Sequence, residues 1–357
     1  MIERGQIKIN KLVVITYLYL FFYSYMIASE NNNVLQKKEE RSEVGIYEYL
    51  QKQKKYLKNG LLEYITFEVQ QSEDNKGKKI QRSGILYLNP KAHATVLVCH
   101  GFMCDKFDVG FIRQTMFTDF NVLIFDFRAH GEHVNDEHCC TFGRDEALDV
   151  IGAVNYLKSR NDLKKLPCIA YGFSMGAVAA IQAQAADPTL FAAMILDCPY
   201  DKSSNVIKRS IENLKFNLFG YTFEMPGRYL LEKFAFNPYV QSFLKALLKT
   251  VAQMDATATN TYIHPLNPVD SIKKVSIPCL LIHCHSDEKV PVQSAFALYE
   301  NMKGYKRLWI TQGRRHFDSI FYNPEKYMYK VNTFIHSVLN GSINQKIHQK
   351  VHYDVVV

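Results

Sequence analysis

The sequence predicts an α/β fold, a mostly parallel sheet wrapped by helices and interrupted by a helical cap. Three observations predict it. Six short apolar runs, "ATVLVC", "NVLIFDF", "PCIAY", "AAMILDC", "PCLLIHC" and "KRLWIT", follow one another with helical segments such as Asp145 to Lys158 in several of the gaps. That alternation is expected of strands buried on both faces. The stretch "CIAYGFSMGAVAAIQAQ" passes from a strand-like run into a helix-forming one with Ser174 between Gly172 and Gly176 at the changeover. Finally, about eighty residues separate "LDCPYD" from "IPCLLIHC", too many for a structureless loop inside a compact domain.

Taken in chain order, residues 1–29 read as a signal peptide or membrane anchor. Arg4, Lys8 and Lys11 precede the uncharged stretch "LVVITYLYLFFYSYMIA", residues 12–28, and Ile27-Ala28-Ser29 offers small residues for cleavage. A basic segment followed by an apolar one predicts export to the periplasm or the medium, or retention at the membrane through residues 12–28. Residues 30–60 are polar, with Val44, Tyr47, Leu50 and Tyr56 spaced for one side of a helix, and read as a linker and amphipathic helix. The first part of the core is expected over 61–200. "LLEYITFEVQ" and "RSGILYLNP" predict two antiparallel edge strands separated by a turn at Ser72 to Lys78. Residues 201–269 form the predicted helical cap, in which Val240, Phe243, Leu244, Leu247, Leu248 and Val251 recur at helical spacing. The core resumes over 270–342, and 343–357 is a tail that carries no signal.

Composition narrows the function. The chain has 357 residues, of which 47% are hydrophobic and 22% charged, and a formal net charge of +8. Its lysines and arginines are scattered among acids, without a basic stripe interleaved with aromatics, so nucleic acid is not an expected partner. Eight cysteines are present. Cys99, Cys168, Cys198, Cys279 and Cys284 fall in or at the ends of apolar runs, no C-x-x-C pair occurs, and free thiols are expected.

Gly172-x-Ser174-x-Gly176 is the pattern of a sharp strand-to-helix turn that holds a serine hydroxyl at its tip. The two flanking positions must lack bulk because strand and helix backbones approach closely there. A serine hydroxyl is a weak nucleophile unless a base takes its proton. In parallel sheets the partners are sought at the C-terminal strand ends. Asp287 lies just beyond "CLLIHC" and His316 just beyond "RLWIT", giving the chain order serine, acid, base. His316 would take the serine's proton while Asp287 holds the imidazole. "HGF" follows the first central strand, and the backbone N–H groups of Phe102 and Met175 are the expected oxyanion donors. Asp197, at the end of the strand after the serine turn, is the alternative acid. His283 and His285 read as strand and loop residues, and Asp318 is too near His316 in sequence to orient it easily. Cys99 and Cys104 flank the oxyanion turn without occupying the nucleophile's position.

Together "HGF", "DFRAHGEH", "GFSMG", "HCHSDEKVP" and "GRRHF", in this order, resemble the α/β-hydrolase superfamily, in particular capped bacterial serine hydrolases of the esterase, monoacylglycerol-lipase and serine-aminopeptidase kind. The resemblance spans about Leu61 to Asn340 and implies the α/β-hydrolase fold. Cys284 stands where that superfamily commonly has glycine. By the resemblance, Asp126, Arg128, His130 and Gly131 shape the loop beside the nucleophile. A competing reading comes from "HGEHVNDEHCC", where His130, His133, His138, Cys139 and Cys140 are zinc-capable types, although their spacing fits no zinc motif.

The expected activity is hydrolysis of an ester with an apolar acyl group through an acyl-enzyme, with no cofactor and no catalytic metal. A peptidase or thioesterase is the alternative. A peptidase would need an acid such as Glu224 or Asp255 near the site to receive a free amino terminus. A non-catalytic binding protein on the same fold is a third reading, and it commonly lacks one of the three site residues. The expected partner is a small ester or peptide, with membrane association through the leader.

Overall fold

The computed structural model describes residues 61–72, 75–116, 119–134, 138–212, 215–218, 221–224, 228–243, 260–313 and 315–345. The expected leader, the amphipathic linker, most of the tail and residues 244–259 of the expected cap, with Asp255, lie outside them. Among the described residues no helix is long and apolar enough to cross a membrane.

Eight strands form one sheet in the order β1-β2-β4-β3-β5-β6-β9-β10. They are β1 (Leu62–Ser72), β2 (Asn75–Tyr87), β3 (Thr95–Cys99), β4 (Asn121–Phe125), β5 (Cys168–Phe173), β6 (Ala193–Asp197), β9 (Cys279–Cys284) and β10 (Lys306–Thr311). β2 runs antiparallel to both its neighbours, and every other pairing is parallel. The six expected apolar runs are thus β3, β4, β5, β6, β9 and β10. Their alternation is real in space. Leu97, Leu123, Ala170 and Leu196 face one layer of helices, Glu146–Ser159, Met175–Ala186 and Val292–Asn301. Val96, Val122, Ile169 and Ile195 face the other, where Val331, Phe334 and Ile335 of helix Pro324–Leu339 pack. Burial on both faces is why these strands read as unbroken apolar runs.

Two expectations are corrected. The turn expected over Ser72 to Lys78 is shorter, since β1 pairs through Ser72 with Asn75 after a register shift between Gln70 and Ser72. Polar residues such as Lys79 and Glu68 belong to the strands because this hairpin lies at the sheet edge, where one face is exposed and the two side chains pair at 2.8 Å. The inserted segment is not wholly helical. It holds helices Ser203–Glu212 and Arg228–Lys233 and helical residues 238–243, but also an antiparallel pair, β7 (Lys215–Leu218) and β8 (Tyr221–Glu224). The alternation of apolar and polar residues in "KFNL" and "YTFE" has the strand period of two and not the helical one.

The inserted segment is tied to the core at several points. Arg209 Nε donates to the Glu288 carbonyl at 3.1 Å, Ser294 Oγ to Asp201 Oδ1 at 2.8 Å, and Cys140 bridges to Thr261. Its anchors therefore converge on the C-terminal strand ends.

Candidate active site

At the end of β5 the chain reverses into helix Met175–Ala186 through Ser174, whose backbone sits at φ 48°, ψ −113°. A non-glycine residue there is strained, and the surroundings must hold it. The Ser174 N–H donates to the Asp197 carbonyl of β6 at 2.8 Å. Both glycines are sterically required. A Cβ on Gly172 would stand 2.5 Å from the Ala177 Cα, and one on Gly176 would stand 2.2 Å from the Cys99 carbonyl oxygen.

The loops after β9 and β10 bring the two other residues to this turn. His316 Nε2 lies 2.8 Å from Ser174 Oγ, and its Nδ1 lies 2.7 Å from Asp287 Oδ2. Asp287 Oδ1 accepts the backbone N–H groups of Lys289 and Val290 at 2.9 and 2.8 Å. Burial opposes the Asp287 charge, but the His316 hydrogen bond, its charge and the Val290 N–H outweigh burial and hold the carboxyl below its ordinary value. Asp287 is therefore anionic and acceptor-only at neutral pH, which places the His316 proton on Nδ1. Nε2 is left with a lone pair facing the serine. His316 is 16% exposed and Asp287 is fully covered, so the open end of the relay is the serine end.

The alternative acid, Asp197, is directed elsewhere. Its Oδ2 accepts from Tyr327 Oη at 2.6 Å, and the Tyr327 hydroxyl also meets that of Tyr171, all three groups being buried. Burial pushes the Asp197 carboxyl up to about 6. His283 is buried in β9, donates Nε2–H to the Val290 carbonyl at 2.9 Å and lies 3.8 Å from Asp287. His285 is exposed, and its ring meets the neighbouring Ser286 hydroxyl.

Met175 follows the serine directly, and Phe102 follows Gly101. Met175 opens the helix, so its N–H has no acceptor within that helix. Gly101 lies against the nucleophile, a Cβ there being 3.7 Å from Ser174 Cβ. His100 fixes this turn. Its Nδ1 donates to the Gly101 carbonyl at 2.8 Å, and its Nε2 accepts the Phe127 N–H at 3.0 Å. Burial first, then the neighbouring His130, lowers its pKa to about 3, so the ring stays neutral and can both donate and accept. Because a trans peptide sets C=O and N–H on opposite sides, holding the Gly101 carbonyl also sets the direction of the Phe102 N–H. Sequence reasoning used Gly101 and overlooked His100, although the adjacent pair was in view.

The loop holding Asp126, Arg128, His130 and Gly131 is fixed by buried polar contacts. Asp126 accepts the Lys106 backbone N–H at 2.8 Å, its buried ammonium at 2.6 Å and the Glu132 N–H at 3.1 Å. Gly131, at φ 53°, passes so close that a Cβ would stand 2.4 Å from the Asp126 carboxyl. Arg128 is buried against Asp149, donating Nε and Nη2 at 3.0 and 2.6 Å. The zinc-capable side chains of the same stretch separate. His130 donates to the Arg128 carbonyl, His133 accepts from the Ser83 N–H, and His138 meets Gln71. Cys139 turns to Asn260 and Cys140 to the Met175 sulfur. Residues 135–137 lie outside the described set.

A mostly parallel eight-stranded sheet that holds a serine on a strained strand-to-helix turn, facing histidine and aspartate, defines an α/β-type serine hydrolase. Comparison with known proteins agrees. Residues 90–317 match the family of S33 serine aminopeptidases, and the chain belongs to it. It is 28% identical over 248 residues to the uncharacterised protein YqkD of Bacillus subtilis, covering 68% of this chain and 72% of that one. Among solved structures it resembles the Pyrococcus furiosus esterase Pf2001 (TM-score 0.54, 23% identity, 77% of this chain and 92% of that one). It also resembles Est1E of Butyrivibrio proteoclasticus, solved with ferulic acid (TM-score 0.51, 18% identity, 73% and 96%). These structural likenesses speak to the fold.

Proposed function

We propose that the protein hydrolyses carboxylic esters with an apolar acyl group, with Ser174 as nucleophile, His316 as general base and then general acid, and Asp287 as the group that orients and charges the histidine. The observation that carries this reading is the unbroken line Ser174 Oγ, His316, Asp287 at 2.8 and 2.7 Å. Ser174 Oγ attacks the ester carbonyl as His316 Nε2 takes its proton, and Asp287 stabilises the resulting imidazolium. The carbonyl oxygen becomes an oxyanion between the Phe102 and Met175 N–H groups, a contribution of roughly a hundredfold or more per donor. Collapse expels the alcohol with the proton from His316. Water then repeats the sequence on the acyl-enzyme and frees Ser174.

The apolar acyl preference rests on what surrounds the relay. Phe102 stacks edge-on against Phe142 at 5.3 Å, Phe317 against Phe173 at 4.4 Å, and Met103 is partly exposed beside the oxyanion turn. Residues 201–269, anchored at the strand ends, are assigned as a cap that encloses the acyl chain. The description of the family favours a second reading, a peptidase. It needs an acid such as Glu224 or Asp255 to receive a free amino terminus, and both side chains lie outside the described set.

A panel of p-nitrophenyl esters from acetate to palmitate, run on the wild type and on Ser174→Ala, tests the proposal. A chain-length optimum in the wild type is expected, with kcat reduced about a millionfold in the variant and folding intact. Retention of most of the activity by Ser174→Ala would remove the mechanism, and faster cleavage of aminoacyl amides than of any ester would favour the peptidase.

A further inference from the structure

Hydrolysis leaves the buried thiol of Cys198 beside the relay unused. Cys198 follows Asp197 at the end of β6, is buried, and holds a left-handed backbone with φ 51°. A ligand atom of Cys198, one of Asp287 and one of His316 all lie within 4.8 Å of one another. The Cys284 thiol lies against Cys198 from β9 and meets Ser319 Oγ at 3.1 Å.

We propose that Cys198, His316 and Asp287 form an inhibitory site for a thiophilic divalent cation, with Zn²⁺ as its representative. Thiolate, imidazole and carboxylate are the three donor types zinc takes, at about 2.0–2.3 Å. Three donors at those distances around a tetrahedral ion stand roughly 3.3–3.8 Å apart, so side-chain rotation of about 1 Å closes the site. The ion displaces one proton, that of the Cys198 thiol, which leaves to solvent. No electrons are exchanged. It takes a lone pair from a ring nitrogen of His316, directly at Nε2, or at Nδ1 once the Nδ1 proton has moved to Nε2. The consequence does not depend on which nitrogen is taken, because Nε2 serves Ser174 and Nδ1 serves Asp287. Occupation of either one breaks the relay. Cys284 is nearby but meets the Ser319 hydroxyl, and it is assigned no ligand role.

The test uses the full chain after treatment with a chelator. Co²⁺ is added and the thiolate-to-cobalt charge-transfer absorption recorded, and Zn²⁺ is titrated against p-nitrophenyl acetate hydrolysis. The inhibition arm rests on the function proposed above, whereas the cobalt arm does not, so the two can fail separately. The wild type should show the cobalt band and be inhibited by micromolar Zn²⁺, with EDTA restoring the rate. Cys198→Ala should keep its hydrolysis rate, lose the band and need about tenfold more Zn²⁺ or beyond, while Cys284→Ala behaves as wild type. If Cys198→Ala does not fold, Cys198→Gly removes the same thiol and suits the positive φ. Absence of the band in the wild type, its persistence without Cys198, or equal Zn²⁺ sensitivity in the Cys198 variant overturns the site.

Discussion

Two aspartates end neighbouring strands of this sheet, and the contrast between them shows how one becomes a partner of histidine. Asp287 stands three residues past β9 in a loop, whereas Asp197 is the last residue of β6. Both are buried. The Asp287 loop turns its own backbone onto the carboxylate, two N–H groups on one oxygen, and leaves the other oxygen for His316. Asp197 receives a tyrosine hydroxyl and no imidazole. The two are consequently shifted in opposite directions, Asp287 below its ordinary value and Asp197 up to about 6. Burial alone does not decide the charge of a carboxylate. The donors arranged around it decide which way it moves.

The largest expected effect follows from breaking the Asp287 side. Asp287→Asn presents an amide where Nδ1–H needs an acceptor and favours the wrong tautomer of His316. Loss of the order of ten thousandfold in kcat is expected, with little change in KM, measured on the best ester of the panel. A loss under tenfold would mean that Asp287 only packs the loop.

The smaller effect belongs to Asp197. Asp197→Asn retains an acceptor for Tyr327 and should leave kcat within about threefold. Its effect should lie in stability and its pH dependence. A carboxyl raised from 3.8 to about 6 holds its proton longer in the folded chain, so its stabilising contribution is complete below the unfolded value and is lost as pH rises through the folded one. The wild type should lose on the order of 2–3 kcal/mol between about pH 4 and pH 6 from this group, and Asp197→Asn should lack that decline. Asp287 has the opposite sign: its contribution is present above its ordinary value and disappears as acid protonates it below that value. Denaturant midpoints of wild type and variant at several pH values separate the two. A decline in Asp197→Asn identical to that of wild type would contradict the assignment.

Most of the fold was legible because strands buried on both faces leave uninterrupted apolar runs, and because Gly172 and Gly176 have no substitute where two backbones pass at contact distance. That Ser174, Asp287 and His316 meet was legible for a related reason, since the loops at the C-terminal strand ends of a parallel sheet converge. The hairpin turn was placed too broadly because an exposed edge strand tolerates polar residues that otherwise signal a turn. The pair β7 and β8 was read as helix because two four-residue strands give too little period to overrule helical spacing farther along the segment. His100 acts through a carbonyl, and its two hydrogen bonds, one to a backbone 27 positions away, leave no mark in local sequence. Cys198 reads in sequence as a core thiol, and its place within 4.8 Å of Asp287 and His316 is set by loops far apart in the chain.

The most direct measurement is reaction of the folded protein with a fluorophosphonate, followed by mass spectrometric mapping of the adduct, in the wild type and in Asp287→Asn. A serine activated by the His316–Asp287 pair should carry the whole adduct on Ser174, and Asp287→Asn should be labelled far more slowly. An unlabelled Ser174, an adduct on another residue, or equal labelling rates in the two proteins would contradict the relay on which the account rests.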